Sequence, residues 1–241
     1  MSGNRTTPGR DHSRAVEDYL KAIFKLQGQS LPVSTTALAS ELDRSAASVT
    51  NMVKGLAEQG LLDHEPYRGV RLTPQGESTA LRIIRRHRVI ETYLIERLGY
   101  TWDGVHEEAE RLEHAASDGL IDRMARALGD PDEDPHGAPI PSSDGVIASR
   151  DLVSLTELPT GVDAVVREVS DEDSGRLREL AAAGFLLGTN VVVTDRSPGG
   201  EVVVELAGGV QTLDAVTARM IQLELSETTR VDESDEEDKG R

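Results

Sequence analysis

A mainly α chain with a smaller β part is predicted by three observations. Apolar residues recur at helical spacing through most of residues 14–128, two short strand-like runs flank Arg68–Gly69, and the pattern turns β-rich from about Leu152 to Leu225. The 241 residues are enough for two or three small cores. Aromatic residues are only 3% of the chain, so Leu, Val, Ile and Ala must fill those cores.

Residues 1–13 read as disordered. From Arg14 to Gln27, Val16, Tyr19, Leu20, Ile23, Phe24 and Leu26 follow a helical period. LPVSTTALASEL opens a second helix with Ser34 or Thr35 as N-cap. After a turn at Asp43–Arg44, SAASVTNMVKGLAEQGLL gives a third, with Val49, Val53 and Leu56 facing inward and Gly60 as terminator. Leu62, Tyr67, Val70 and Leu72 then make two short strands. Three helices followed by a two-stranded ribbon predict a winged helix-turn-helix over residues 14–74. Helices over about 75–98 and 103–128 form a helical domain, residues 75–141. The stretch GDPDEDPHGAPIPSSDG holds four of the ten prolines and reads as irregular, passing into a linker at 142–151. VDAVVREV, NVVVTDR, EVVVEL and ARMIQLEL are strand-like and GRLRELAAAG is helical, which suits a small SH3-like barrel over 152–225. Residues 226–241 form a charged, apolar-poor tail, expected to be disordered.

The net charge of −17 is unevenly spread: +1 over residues 1–75, −6 over 76–140 and −12 over 141–241. The helix-turn-helix is therefore nearly neutral, and any attraction for phosphate must come from local placement. Zero cysteines exclude disulfides, thiolate metal sites and cysteine nucleophiles. With neither an apolar signal core nor an apolar run of spanning length, a cytoplasmic protein without membrane contact is expected.

Two groups of residues carry chemistry. In a helix-turn-helix the helix after the turn enters the major groove by its N-terminal residues, here Ser45, Ala46, Ala47, Ser48, Thr50 and Asn51. Ser48, Thr50 and Asn51 suit hydrogen bonds to bases or phosphates, and Ala47 suits a thymine methyl. Arg44, Lys54, Arg68 and Arg71 are candidate phosphate contacts. The same residues also suit a bare helix cap and solvated surface, and a winged helix also serves as a protein-interaction fold. In the second group, His106, Glu110, Glu113 and His114 fall at about 0°, 40°, −20° and 80° around one helix, a single stripe of imidazoles and carboxylates. His87 and Glu91 stand one turn apart on the preceding helix. Salt bridges to the nearby arginines are the alternative use, but the combination favours a divalent cation. A zinc hydrolase of the HExxH type is disfavoured, since His106-Glu107-Glu108-Ala109-Glu110 places Glu where the second His is required. No enzyme is expected.

VEDYLKAIFKL, SVTNMVKGLAEQGLLDHEPYRGVRLTPQGE, RRHRVIETYL, GYTWDGVHEEAERLEHAASDGLIDRM and DPHGAPIP together resemble the diphtheria toxin repressor family of metal-dependent regulators, in its manganese-responsive branch. The resemblance covers residues 14–141 and extends more loosely over 152–225, which is similar to the family's SH3-like, FeoA-like third domain. It implies a homodimeric repressor of metal-uptake genes that binds a palindromic double-stranded operator, takes no small organic substrate and carries two ions per subunit. By the same resemblance the primary site takes Asp18, Glu110, Glu113 and His114. The ancillary site takes His87, Glu91 and His106, with Glu172 and Asp173 as additions from the third domain. Where the iron-responsive branch has Met and Cys, this chain has Asp18 and Glu110. Those harder donors favour Mn²⁺, with Fe²⁺ second. The chain departs from the two-metal manganese regulators at Lys21, where they place a carboxylate.

Overall fold

A computed structural model describes residues 12–28, 30–65 and 68–226. The expectations for residues 1–11, Tyr67 and 227–241 lie outside them. The chain divides into two compact units, Met1–Arg86 with Pro141–Val146, and His87–Ile140 with Ile147–Arg241.

In the first unit, α1 (Arg14–Gln27) is capped by Ser13, whose hydroxyl accepts from Val16 N. It buries Val16, Tyr19, Leu20, Ala22, Ile23 and Leu26, close to the face its spacing predicts. Ser34 caps α2 (Thr35–Glu41) and Ser45 caps α3 (Ala46–Glu58). Between them Asp43 takes a positive φ of 49° to make the turn. Strands β1 (Leu62–Glu65) and β2 (Gly69–Leu72) pair antiparallel with Leu62 opposite Leu72, forming the wing. Gly69 is required there, because at φ 121° a Cβ would lie 2.4 Å from the Val33 carbonyl oxygen. Leu20, Ile23, Leu38, Val49, Val53, Leu56, Leu61 and Val70 make a fully buried core. The winged helix-turn-helix is confirmed.

Helix α4 (Pro74–Leu98) is one continuous element of 25 residues. The second expected helix is divided into α5 (His106–Leu112) and α6 (Asp118–Leu128), the latter capped by Ser117 and closed by Gly129 at φ 86°. Glu113 is the C-cap residue of α5 and His114 lies in the turn beyond it, so the four-residue stripe spans a helix end. Val89, Ile90, Val105, Ala109, Ile121 and Ala125 form the core of this region.

Residues 131–141 are irregular, as the prolines suggest, but they are not a loose connector. Asp134, His136, Ala138 and Ile140 are buried. Backbone carbonyls in the stretch are taken by arginines: Arg88 donates to Pro139 O, Arg150 to Gly137 O and, within the first unit, Arg85 to Pro141 O.

The remaining elements are β3 (Val153–Ser154), β4 (Asp163–Val169), α7 (Ser174–Ala183), β5 (Asn190–Arg196), β6 (Val202–Leu206), β7 (Gly209–Leu213), α8 (Ala215–Arg219) and β8 (Ile221–Leu225). The strands form an antiparallel six-stranded sheet in the order β3-β8-β4-β5-β6-β7. Its core includes Phe185, Val166, Leu177, Val193, Val204 and Ile221. Two details differ from expectation. The ARMIQLEL run begins inside α8, and the added strand β7 is mostly exposed, so it lacks the apolar alternation that marks a strand.

Candidate metal centre and nucleic-acid interface

On the first unit, Ser45, Ala47, Ser48, Asn51 and Lys54 are exposed along α3 and Thr50 is half-buried. Ser45 Oγ accepts from Ser48 N at 3.3 Å and Thr50 Oγ1 donates to Ala46 O at 2.8 Å, so these two hydroxyls serve the helix itself. Arg44 and Arg71 are exposed, Arg44 donating to Asp43 O, and Arg68 pairs with Glu65 at 3.1 Å in the wing. Asp18, half-buried on α1, lies 3.9 Å from Arg14.

In the second unit, His87 and Glu91 stand one turn apart on α4, with Nε2 2.9 Å from Oε1. His106, the first residue of α5, places Nδ1 3.4 Å from the same Glu91 oxygen and 2.8 Å from Asp171 Oδ2. One donor atom from each of His87, Glu91, His106 and Asp171 lies within 4.8 Å of the others. His87 Nδ1 is also 2.6 Å from Glu113 Oε2 and 3.8 Å from Glu110 Oε1, and His114 Nε2 is 3.3 Å from Glu113 Oε1.

The third-domain carboxylate in this group is Asp171. Glu172 and Asp173, expected from the sequence, are not in this group: Asp173 turns its carboxylate to Arg176 N as the N-cap of α7, and Glu172 is exposed. His136 escaped the sequence reading altogether. It is buried, with Nε2 2.8 Å from Trp102 O and Nδ1 3.9 Å from Glu91 Oε2 and 3.8 Å from Asp171 Oδ2. A proton on Nε2 serves the carbonyl and turns the Nδ1 lone pair toward the carboxylates. The signal was there in DPHG, a histidine inside an acidic, proline-rich stretch.

The donors fit a divalent ion. Glu91 has no exposed surface, and neither oxygen has a hydrogen bond although two imidazole nitrogens stand within 3.4 Å. If the single proton of a neutral His87 serves Glu113 through Nδ1, Nε2 presents a lone pair to the Glu91 carboxylate, an arrangement that a cation resolves. Burial works against the charged form of His106, but the contact with Asp171 and the charges of Asp171 and Glu91 outweigh it and raise its pKa to about 10. Burial likewise opposes the Asp171 charge, yet His106 holds that carboxyl well below the usual range. Without an ion, the imidazolium of His106 supplies the local positive charge. Two imidazoles with carboxylate oxygens and no sulfur form a set suited to Mn²⁺, Fe²⁺ or Zn²⁺.

Three family descriptions match in chain order: "Iron dependent repressor, N-terminal DNA binding domain" over residues 11–70, "Iron dependent repressor, metal binding and dimerisation domain" over 73–142, and "FeoA domain" over 153–225. The iron-dependent repressor IdeR of Mycobacterium leprae is 32% identical over 204 residues, 80% of this chain and 88% of that protein. The chain belongs to the diphtheria toxin repressor family. It is thus a metal-dependent, DNA-binding transcriptional repressor with a DNA-binding domain, a dimerisation domain and a FeoA-like domain. The diphtheria toxin repressor of Corynebacterium diphtheriae is 28% identical over 197 residues, covering 78% of this chain and 87% of its own. A manganese-dependent transcriptional repressor solved in complex with manganese is 39% identical, with a TM-score of 0.81 over 88% of this chain and all of that one. Among the described residues, no helix is long and apolar enough to cross a membrane.

Proposed function

We propose that this chain is a homodimeric repressor of metal-uptake genes that binds a palindromic operator when Mn²⁺ fills two sites in each subunit. The observation that carries the reading is Glu91, a fully buried carboxylate without a hydrogen bond, ringed by His87, His106 and Asp171. These four residues, with His136 at their edge, would hold one ion. Asp18, Glu110, Glu113 and His114 would hold the other, an assignment that rests on the match of those residues to the family's motif. Leu98, Tyr100, Leu112 and Leu120 are large exposed apolar side chains within the segment matched by the dimerisation domain, which supports the homodimer.

A bound Mn²⁺ supplies a divalent positive charge that carboxylates and neutral imidazoles can share. Asp18 belongs to the DNA-binding domain, whereas Glu110, Glu113 and His114 belong to the dimerisation domain. Without a cation, three carboxylates brought together would repel one another. Once the charge is balanced, Asp18 ties α1 to the dimer scaffold, and the two α3 helices of the dimer meet successive major grooves about 34–36 Å apart. Ion and operator binding then strengthen each other by the same factor.

Manganese is favoured by the absence of sulfur donors and by the 39% identity to the manganese-dependent repressor. Iron is the second reading, favoured by the 32% identity to the iron-dependent repressor IdeR. Operator gel shifts across Mn²⁺, Fe²⁺ and Zn²⁺ at matched free concentrations separate them. Asp18→Ala and His114→Ala should remain folded dimers that no longer bind the operator with Mn²⁺. Full metal-dependent binding by both variants would remove the proposed linkage.

A further inference from the structure

We propose that Trp102 and Asp103, on the turn leading into α5, fasten the FeoA-like domain so that its Asp171 stands at the ion site of Glu91 and His106. The inference rests on the reading of that site given above. Trp102 is the single tryptophan of the chain. Although its sequence position places it in the helical domain, it packs half-buried against the apolar core of the FeoA-like domain. Its indole N–H donates to Pro135 O at 2.9 Å, and its ring centre lies 5.1 Å from that of His136. One residue on, Asp103 Oδ2 accepts from both Nε and Nη2 of Arg178 on α7, each at 2.7 Å.

These contacts reach the FeoA-like domain on one side of Asp171, and a second set grips it on the other. Val169 N, at the end of β4, donates to His136 O at 3.0 Å. Gly137, at φ 89°, sits so close to β4 that a Cβ would lie 1.9 Å from Arg167 O, which only glycine permits. Asp171 lies between β4 and α7 and is therefore held from both directions by side chains and backbone that ligate nothing.

A fastening made by groups that ligate nothing keeps Asp171 at the site whether or not an ion is bound. If the FeoA-like domain were loosely attached, Asp171 would be present at the site only part of the time, and apparent affinity for the ion would fall by that fraction. Arg178 is largely exposed, so its pair with Asp103 alone holds weakly, and most of the hold falls to Trp102.

The test uses the full chain. Asp103→Asn, Arg178→Ala, Trp102→Phe and the exchanged pair Asp103→Arg with Arg178→Asp are titrated with Mn²⁺ by calorimetry. Trp102 emission is recorded first, without metal, wherever the tryptophan is retained. The two single charge variants should shift emission to the red and weaken one of the two ions about threefold, the scale of an exposed ion pair. Trp102→Phe keeps the ring but loses the indole donor, and should weaken the same ion about fivefold, the scale of one hydrogen bond. The exchanged pair should restore both emission and affinity, which a merely destabilised fold would not do. Glu91→Gln is the reference, expected to lose that ion altogether. If Glu91→Gln binds as many ions as the unaltered chain, the reading of the centre is wrong and this proposal goes with it. If Glu91→Gln loses an ion while the Asp103, Arg178 and Trp102 variants keep full affinity, the fastening alone is overturned.

Discussion

His106 Nδ1 stands 2.8 Å from Asp171 Oδ2, joining the first residue of α5 to the segment between β4 and α7. The FeoA-like domain thereby contributes directly to the histidine and carboxylate cluster of the dimerisation domain. Its three consecutive acids, Asp171, Glu172 and Asp173, are placed differently: the first faces the imidazole, the second is exposed, and the third caps a helix.

That difference gives the first prediction. Asp171→Ala should weaken one Mn²⁺ at least about tenfold in calorimetric titration, the scale seen when support of a metal site is removed. Asp173→Ala should leave ion affinity unchanged and instead cost stability through the lost cap of α7, read as a lower denaturation midpoint. Loss of ion affinity in Asp173→Ala with none in Asp171→Ala would place the ligand at Asp173 instead.

Glu91 gives a second. The excess of ion-free carboxylates around His87 and His106 is a destabilising burden, and a neutral amide at the buried position relieves part of it. Glu91→Gln should therefore be no less stable than the unaltered chain in chelator. Mn²⁺ at a hundredfold excess over its Kd should stabilise the unaltered chain by about 2.7 kcal/mol per site, and Glu91→Gln should lack one site's share. Thermal melts with and without chelator check both halves. A variant that Mn²⁺ stabilises as much as the parent would contradict the assignment.

What the sequence made legible is what local rules decide. Ser34 and Ser45 cap helices where a hydroxyl before an apolar period is expected to, and the two expected wing strands pair, with Gly69 opening β2 at a positive φ. The division between α5 and α6 was missed although its signals are local: Ile121 and Ala125 fall about 120–160° around the helical wheel from Ala109, while Ala116 stays within about 20° of it, and Ser117 starts a new helix by its hydroxyl. The burial of residues 134–140 was hidden for a different reason. Prolines and acids predict an exposed connector, whereas Arg88 and Arg150, distant in sequence, satisfy the carbonyls that burial strips of water. Asp171 and His136 were missed on the same account: which acid of a run faces the cluster depends on where β4 ends and α7 is capped.

Asp214 gives a prediction on acid stability. It caps α8, accepting from Val216 N and Thr217 N, and pairs with Arg176 at 2.8 Å. The Thr217 amide, followed by Arg176, holds its carboxyl below the usual carboxylate range. A depressed carboxylate adds stability above the unfolded pKa of about 3.9 and loses it as pH falls toward the folded value. Asp214→Ala should thus melt below the unaltered chain at pH 7, with the gap closing only below about pH 4. A gap that is the same at pH 3 and pH 7 would assign the effect to packing.

The exposed face of α3 and the wing should be separable by how they respond to salt and sequence. Arg68 is exposed in the wing beside Glu65, a placement suited to phosphate, so Arg68→Ala should weaken operator and non-operator DNA alike. It should also reduce the slope of log affinity against log salt by about 1. Asn51 is exposed along α3, and an amide in the major groove pairs with adenine, so Asn51→Ala should lower preference for the operator by roughly tenfold at an unchanged salt slope. Fluorescence anisotropy with operator and single-base variants, at several salt concentrations in Mn²⁺, reads both quantities at once. Should Arg68→Ala alter base preference while Asn51→Ala alters only the salt slope, the wing would be the reader and α3 the anchor.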